Sequence, residues 1–106
     1  MRKNILILLN FFVLINFFVL PAKSDPIFEL GKDIFLNKAA CSTCHTLADA
    51  KSAGQIGPNL NEIRPDKIRV LNAVKNGIGV MPVYEGELTN EEIEAVAYYV
   101  SVAANQ

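Results

Sequence analysis

An all-α fold is predicted from three observations. Apolar residues recur at helical spacing in three segments, each of these segments opens on a helix-start signal, and no stretch alternates apolar and polar residues as a strand does.

The first segment is "PIFELGKDIFLNK", where Pro26 suits a first helical turn and Ile27, Leu30, Ile34 and Phe35 fall near one face. Gly31 stands in its interior at a cost of about 1 kcal/mol against Ala, which a close helix crossing would justify. The second is "RPDKIRVLNAVKNG": Pro65 and Asp66 mark its start, Ile68, Leu71 and Val74 form its stripe, Lys75 lies in the last turn and Gly77 stops it. The third is "LTNEEIEAVAYYVSVAA". Thr89 and Glu92 have capping-box spacing, Glu91 and Glu92 suit the positive end of the helix dipole, and Ile93, Val96, Ala97 and Val100 form the buried stripe. Two long loops remain, "TLADAKSAGQIGPNLNEI" and "GIGVMPVYEGEL". Loops of that length in a small domain imply a special role, and both make sense wrapped around a flat apolar object.

A chain of 106 residues holds one small domain, and its first 24 residues are not expected to belong to it. They begin with Arg2 and Lys3, run through an apolar stretch from Ile5 to Leu20 broken by Asn10 and Asn16, and exit through the small residues Ala22 and Ser24. That is the layout of a secretory signal peptide, cut after Ser24. The alternative is a retained anchor, although the stretch is shorter than the roughly 20 residues that span a bilayer. Residues 1–24 are therefore read as a signal peptide and 25–106 as the domain, exported to the periplasm with no membrane span of its own.

The leader takes three of the ten Lys/Arg residues and none of the eleven acids, leaving the domain seven against eleven, a formal charge of −4. A nucleic-acid partner is not expected of such a surface. Four of the six Phe also leave with the leader, and there is no Trp. Domains this small and thinly cored often lean on a disulfide, a metal or a cofactor.

The segment "KAACSTCHTLADA" contains Cys41, Cys44 and His45, the only cysteines and the only histidine of the chain. C-x-x-C-H is the attachment signature of c-type haem: each thiol adds to a porphyrin vinyl group, and the adjacent imidazole becomes an axial ligand of the iron. One haem c is implied, with two thioether links. A structural zinc site wants four Cys or His ligands, and the chain has three. A thiol-disulfide oxidoreductase motif belongs beside a βαβ pattern, which the chain lacks.

Haem iron has a sixth position, and what fills it sets the chemistry. After the leader, Met81 is the one methionine, in the Gly-rich segment "GIGVMPVY" and thirty-six residues from His45. Methionine is often a gap-filling core residue. Here, in a loop stiffened by Pro82, it is read as the second axial ligand. A thioether raises the potential and closes the iron to small molecules, which points to an electron carrier.

With these pieces in order, the sequence resembles a class I c-type cytochrome over residues 26 to 103. The matching motifs are G-x-x-x-F (Gly31, Phe35), C-x-x-C-H, G-P-N-L (Gly57 to Leu60), a G-x-M-P loop (Gly79 to Pro82) and A-Y-Y-V (Ala97 to Val100). The resemblance implies three to four helices wrapped around one covalently attached haem. It implies that Gly31 lets the first and last helices cross near Val96 and Tyr99. It also implies that the Pro58 carbonyl accepts a hydrogen bond from His45, fixing its tautomer, and that Leu60, Ile78 and Val80 pack on porphyrin. Pro58 also suits a simple turn, and the three aliphatic residues also suit an ordinary core.

Three segments, "CHTLADA", "IGPNLNEIRPDKIRVLNAVKNGIGVMPVY" and "ELTNEEIEAVAYYVS", are most similar to the small cytochrome subunit or partner of periplasmic sulfite dehydrogenases. That implies a molybdenum enzyme as electron donor and a further cytochrome or terminal oxidase as acceptor, met in small transient encounters. Lys38 and Lys51 flank the attachment motif, apart in sequence from the acids of the last helix, and are expected to steer an acidic partner. Two other classes stay open: a haem enzyme or gas sensor whose Met81 is displaced, and a C-x-x-C thiol oxidoreductase without haem.

Overall fold

The computed structural model describes residues 25–106, and the signal peptide expected over 1–24 lies outside the described residues. Helix α1 spans Pro26–Asp33. Asp25 caps it, its carboxylate accepting from the N–H groups of Ile27 and Phe28 at 3.0 and 3.4 Å, while Pro26 occupies a first-turn position that needs no N–H. The helix then widens into a π-helical turn, Ile34–Lys38, in which the Ala39 N–H reaches back to the Ile34 carbonyl at 2.9 Å. The neighbours Ile34 and Phe35 are both buried.

The next elements are small. A 3-10 turn at Cys41–Thr43 leads into an antiparallel pair, β1 (Thr46–Leu47) and β2 (Ser52–Ala53), with Thr46 opposite Ala53 and Leu47 opposite Ser52. Helix α2, Leu60–Ile63, is a single turn capped by Asn59, whose side chain accepts from the Asn61 N–H. The long loop expected between the cysteines and the second helix thus holds a hairpin and a helical turn. Two-residue strands are too short to show alternation and four helical residues too short to show a 3.6 period.

Helix α3 spans Lys67–Asn76, with Asp66 accepting from the Arg69 N–H at 2.8 Å and Gly77 as its stop. Its expected stripe of Ile68, Leu71 and Val74 is corrected. Val70 and Val74 are buried, four residues apart, whereas Ile68 is 71% exposed. The cap at Asp66 fixes the phase of the helix, and a residue two positions from Val70 points some 200° around the axis.

Helix α4, Asn90–Ala103, starts on a complete capping box. The Glu92 N–H donates to Thr89 Oγ1 at 3.1 Å, and the Thr89 N–H donates to Glu92 Oε1 at 3.0 Å. Ile93, Val96, Ala97 and Val100 are buried as expected, joined by Ala95 and Tyr99. The helix crosses α1 at Gly31. A Cβ there would stand 2.2 Å from the Ala95 carbonyl oxygen and 2.5 Å from Tyr99 Cβ. The crossing partners are therefore Ala95 and Tyr99, not the expected Val96 and Tyr99. The two helices meet backbone to backbone, and Val96, about 100° further round, turns into the core.

Tyr99 is fully buried under this crossing, with Phe28 and Phe35 at 4.8 and 5.7 Å between ring centroids. Burying a ring of that size is worth about 2–3 kcal/mol, and tilted aromatic pairs add about 1 kcal/mol. Its hydroxyl donates to Asp49 Oδ2 at 2.8 Å, and Lys32 Nζ sits 3.2 Å from the same oxygen. The turn of the hairpin is thereby tied to the helix crossing. Burial, then the bond to Asp49, push the Tyr99 phenol well above its usual range. Among the described residues no helix is long and apolar enough to cross a membrane.

Replacing Gly31 by Ala should lower the denaturant midpoint of the haem-loaded protein, because overpacking costs about 1–3 kcal/mol and outweighs the gain of about 1 kcal/mol in helix propensity. A raised midpoint would disprove the close crossing. A second expectation concerns pH. The hydrogen bond and ion pair with Lys38, followed by the Thr89 N–H, hold the Glu92 carboxyl below its ordinary value of 4.5. A depressed folded-state value gives stability that is complete above the ordinary value and fades as pH falls through the lowered one. Glu92→Gln should therefore lose less stability than wild type on acidification below 4.5, read from unfolding midpoints across that window.

Candidate haem site

The cysteine segment is shaped by one backbone inversion. Ala40 adopts a left-handed conformation, φ 51° and ψ 38°, which ends the π-helical turn and starts the 3-10 turn. Such a conformation costs a non-glycine residue about 1–2 kcal/mol, and it stands directly before Cys41. The N–H groups of Cys44 and His45 then both donate to the Cys41 carbonyl, at 3.1 and 3.0 Å. The motif is thus wound into a single tight turn. Both thiols are free and half-buried, and Cys41 rests against the core. Burial pushes the Cys41 thiol up to about 11.

His45 is held from two sides. Its Nδ1 lies 2.8 Å from the Pro58 carbonyl oxygen. A carbonyl only accepts, so Nδ1 carries the proton and Nε2 keeps its lone pair for a metal. Beneath the ring lies Gly57, where a Cβ would come within 2.6 Å of His45 Cε1 and 2.9 Å of Nδ1. Only glycine leaves room for that ring. The Gly57 N–H donates to the Cys44 carbonyl at 2.7 Å, and the Ala48 N–H donates to Asn61 Oδ1 at 2.7 Å. The hairpin and α2 together therefore hold the segment that presents Pro58 to His45.

Met81 lies in the turn that follows α3. Its N–H donates to the Ile78 carbonyl at 2.9 Å, and its side chain is half-buried against the core rim with Tyr84. The Tyr84 N–H donates to the Val74 carbonyl at 3.0 Å, and its hydroxyl donates to the Ala39 carbonyl at 3.1 Å. Burial, then the proximity of Cys41 and Cys44, raise the Tyr84 phenol above its ordinary value. The Met81 loop and the cysteine turn are thus neighbours.

The donor set and its surroundings fit a haem. Two free thiols and an imidazole with a bare Nε2 share one turn, and the two long loops leave Ile56, Ile78 and Val80 exposed by 69%, 68% and 87%. Aliphatic side chains that no other described element covers are suited to a flat apolar ring. Leu60 differs from them: it is buried, at 7% exposure, and belongs to the polypeptide core.

The expected steering lysines separate. Lys38 is paired with Glu92 of α4, so the acids of the last helix, distant in sequence, neutralise it in space. Lys51 is exposed at the hairpin turn and has no ion-pair partner among the described residues. Tyr84, Asp49 and Asn61 were not singled out from sequence, since each is defined by a backbone or side-chain partner at least thirteen residues away.

Comparison with known proteins places the chain in a family. Residues 28–100 match the family described as "Cytochrome C oxidase, cbb3-type, subunit III". The chain is 38% identical over 80 residues to cytochrome c6 of Gracilaria tenuistipitata var. liui, covering 68% of each protein. Among solved structures, the c-type cytochrome SorU from Sinorhizobium meliloti superposes with a TM-score of 0.73 at 53% identity, covering 78% of this chain and 97% of SorU. The sequence motifs, the helical fold and these relatives together make the chain a member of the c-type cytochromes, class I electron carriers with covalently bound haem c.

Proposed function

We propose that this chain is a periplasmic one-electron carrier holding a single haem c through Cys41 and Cys44, with His45 and Met81 as the axial ligands. The observation that carries the reading is the hydrogen bond from His45 Nδ1 to Pro58, which leaves Nε2 as a metal donor on the same turn as two thiols. Bound there, the haem supplies a one-electron iron couple. The chain's own part is to hold and to exclude. Pro58 keeps the imidazole in one tautomer and strengthens it as a ligand, as partners of metal-bound histidines do. The Met81 thioether would be the second iron ligand and would keep exogenous ligands away. One C-x-x-C-H in the chain supports one haem.

The thiol-oxidoreductase alternative is disfavoured by Cys41. A nucleophilic cysteine needs a lowered pKa, and burial pushes this one to about 11. For the donor we propose a molybdenum sulfite dehydrogenase, supported by the likeness of the three quoted segments to its small cytochrome partner. The acceptor would be a further cytochrome or a terminal oxidase.

Protein matured in a host with cytochrome c biogenesis machinery should weigh one haem more than its polypeptide. Met81→Ala should keep that mass while losing the weak red absorption band of Met-ligated ferric haem and lowering the potential. An unaltered band and potential would remove Met81 from the iron. The donor assignment is checked by mixing the ferric protein with a sulfite dehydrogenase and sulfite in a stopped-flow instrument. Rapid reduction that requires both is expected, and none under any mixing condition would refute it.

A further inference from the structure

The loop that carries Met81 is anchored well on one side and thinly on the other. Towards α3 it is held by its own backbone, through the Gly77 N–H to the Ala73 carbonyl at 2.8 Å and the Tyr84 N–H to the Val74 carbonyl at 3.0 Å. Its far end is fixed by Leu88, which is buried in the core and whose N–H, like that of Glu87, donates to the Tyr84 carbonyl. Towards the cysteine turn the packing is open. A cavity of about 460 Å³ lies there, lined by Lys38 and Ala39 from one segment and by Pro82, Val83, Tyr84 and Leu88 from the other. Among the described residues one hydrogen bond crosses from the loop to the segment leading into Cys41, the Tyr84 hydroxyl donating to the Ala39 carbonyl at 3.1 Å. Ala39 directly precedes the left-handed Ala40, so its carbonyl is held in a fixed direction by the backbone inversion.

We propose that Tyr84 is a positioning residue for the sixth ligand: its hydroxyl latches the Met81 loop to the Ala39 carbonyl and so sets how often the thioether leaves the iron. The proposal rests on Met81 being the axial ligand. Only Pro82 and Val83 separate Met81 from Tyr84, so a loop that swings away at Tyr84 carries Met81 with it. Loss of the hydroxyl therefore raises the population of the open loop while the α1–α4 crossing, the capping box and the His45 side stay as they are.

The test is cyanide binding to the haem-loaded ferric protein, limited by departure of the native ligand. Tyr84→Phe keeps the ring and removes the latch, and a typical hydrogen bond corresponds to roughly fivefold faster cyanide binding. Tyr84→Leu, which also removes the ring, should be faster still. Asp25→Ala weakens the α1 cap without touching the loop and should bind cyanide at the wild-type rate. The red absorption band should fade at lower temperature in Tyr84→Phe than in wild type. Wild-type rates in both Tyr84 variants would overturn the latch. Equal acceleration in Tyr84→Phe and Asp25→Ala would also overturn it, since the effect would then be global stability. A wild-type protein that already binds cyanide as fast as Met81→Ala would overturn the axial reading and the latch together, and the wild-type trace identifies that case without the variants.

Discussion

At the α1–α4 crossing α1 places no side chain between the two helices, because Gly31 has none to offer. Ala95 and Tyr99 of α4 fill the space a Cβ would take, and the Tyr99 ring is clamped between Phe28 and Phe35. From that ring a hydroxyl extends to Asp49, and Asp49 stands at the turn of the hairpin that follows His45. The helix crossing is thus linked through one buried phenol to the hairpin that follows His45. A wider crossing would move Tyr99 and, with it, the attachment point of that hairpin.

The His45 side and the Met81 side are built on different principles. His45 is over-determined, with Gly57 under the ring, Pro58 on Nδ1, and a hairpin and a helical turn behind both. The Met81 side is a loop pinned to α3 and, among the described residues, hydrogen-bonded to the segment before Cys41 through one phenolic hydroxyl. This asymmetry is what the proposed axial pair would need, with the imidazole as the firmly held donor and the thioether as the more readily displaced one. The proposed haem would also cover the exposed Ile56, Ile78 and Val80, which no other described element buries. In a domain with a thin aromatic core, the haem then completes the fold as well as supplying the chemistry.

Charge acts locally in this molecule. Lys38, beside the attachment motif, is joined to Glu92, and this pair ties the end of the π-helical turn to the start of α4 beside the capping box. Lys67 and Glu94 join α3 to α4 in the same way. These exposed pairs contribute little individually, yet they remove cations from the pool available for steering. Each pair takes up one acid as well, so the formal balance of −4 over residues 25–106 is unchanged.

Much of the architecture was legible along the chain. The capping box at Thr89, the start at Asp66, the stop at Gly77 and the need for a close crossing at Gly31 are local signals, written in residues at most three or four positions apart. The attachment motif is equally local, since both thiols and the imidazole lie within five residues. Folding in three dimensions settled what depends on phase and on distant partners. It put Val70 rather than Ile68 in the core, chose Ala95 over Val96 at the crossing, and paired Lys38 with Glu92. Tyr84 and Asp49 gained their roles in the same way, through partners 45 and 50 residues off. The physical reason is range: propensity and capping act over one helical turn, whereas a hydrogen bond between separate elements exists only once packing has brought its donor and acceptor together.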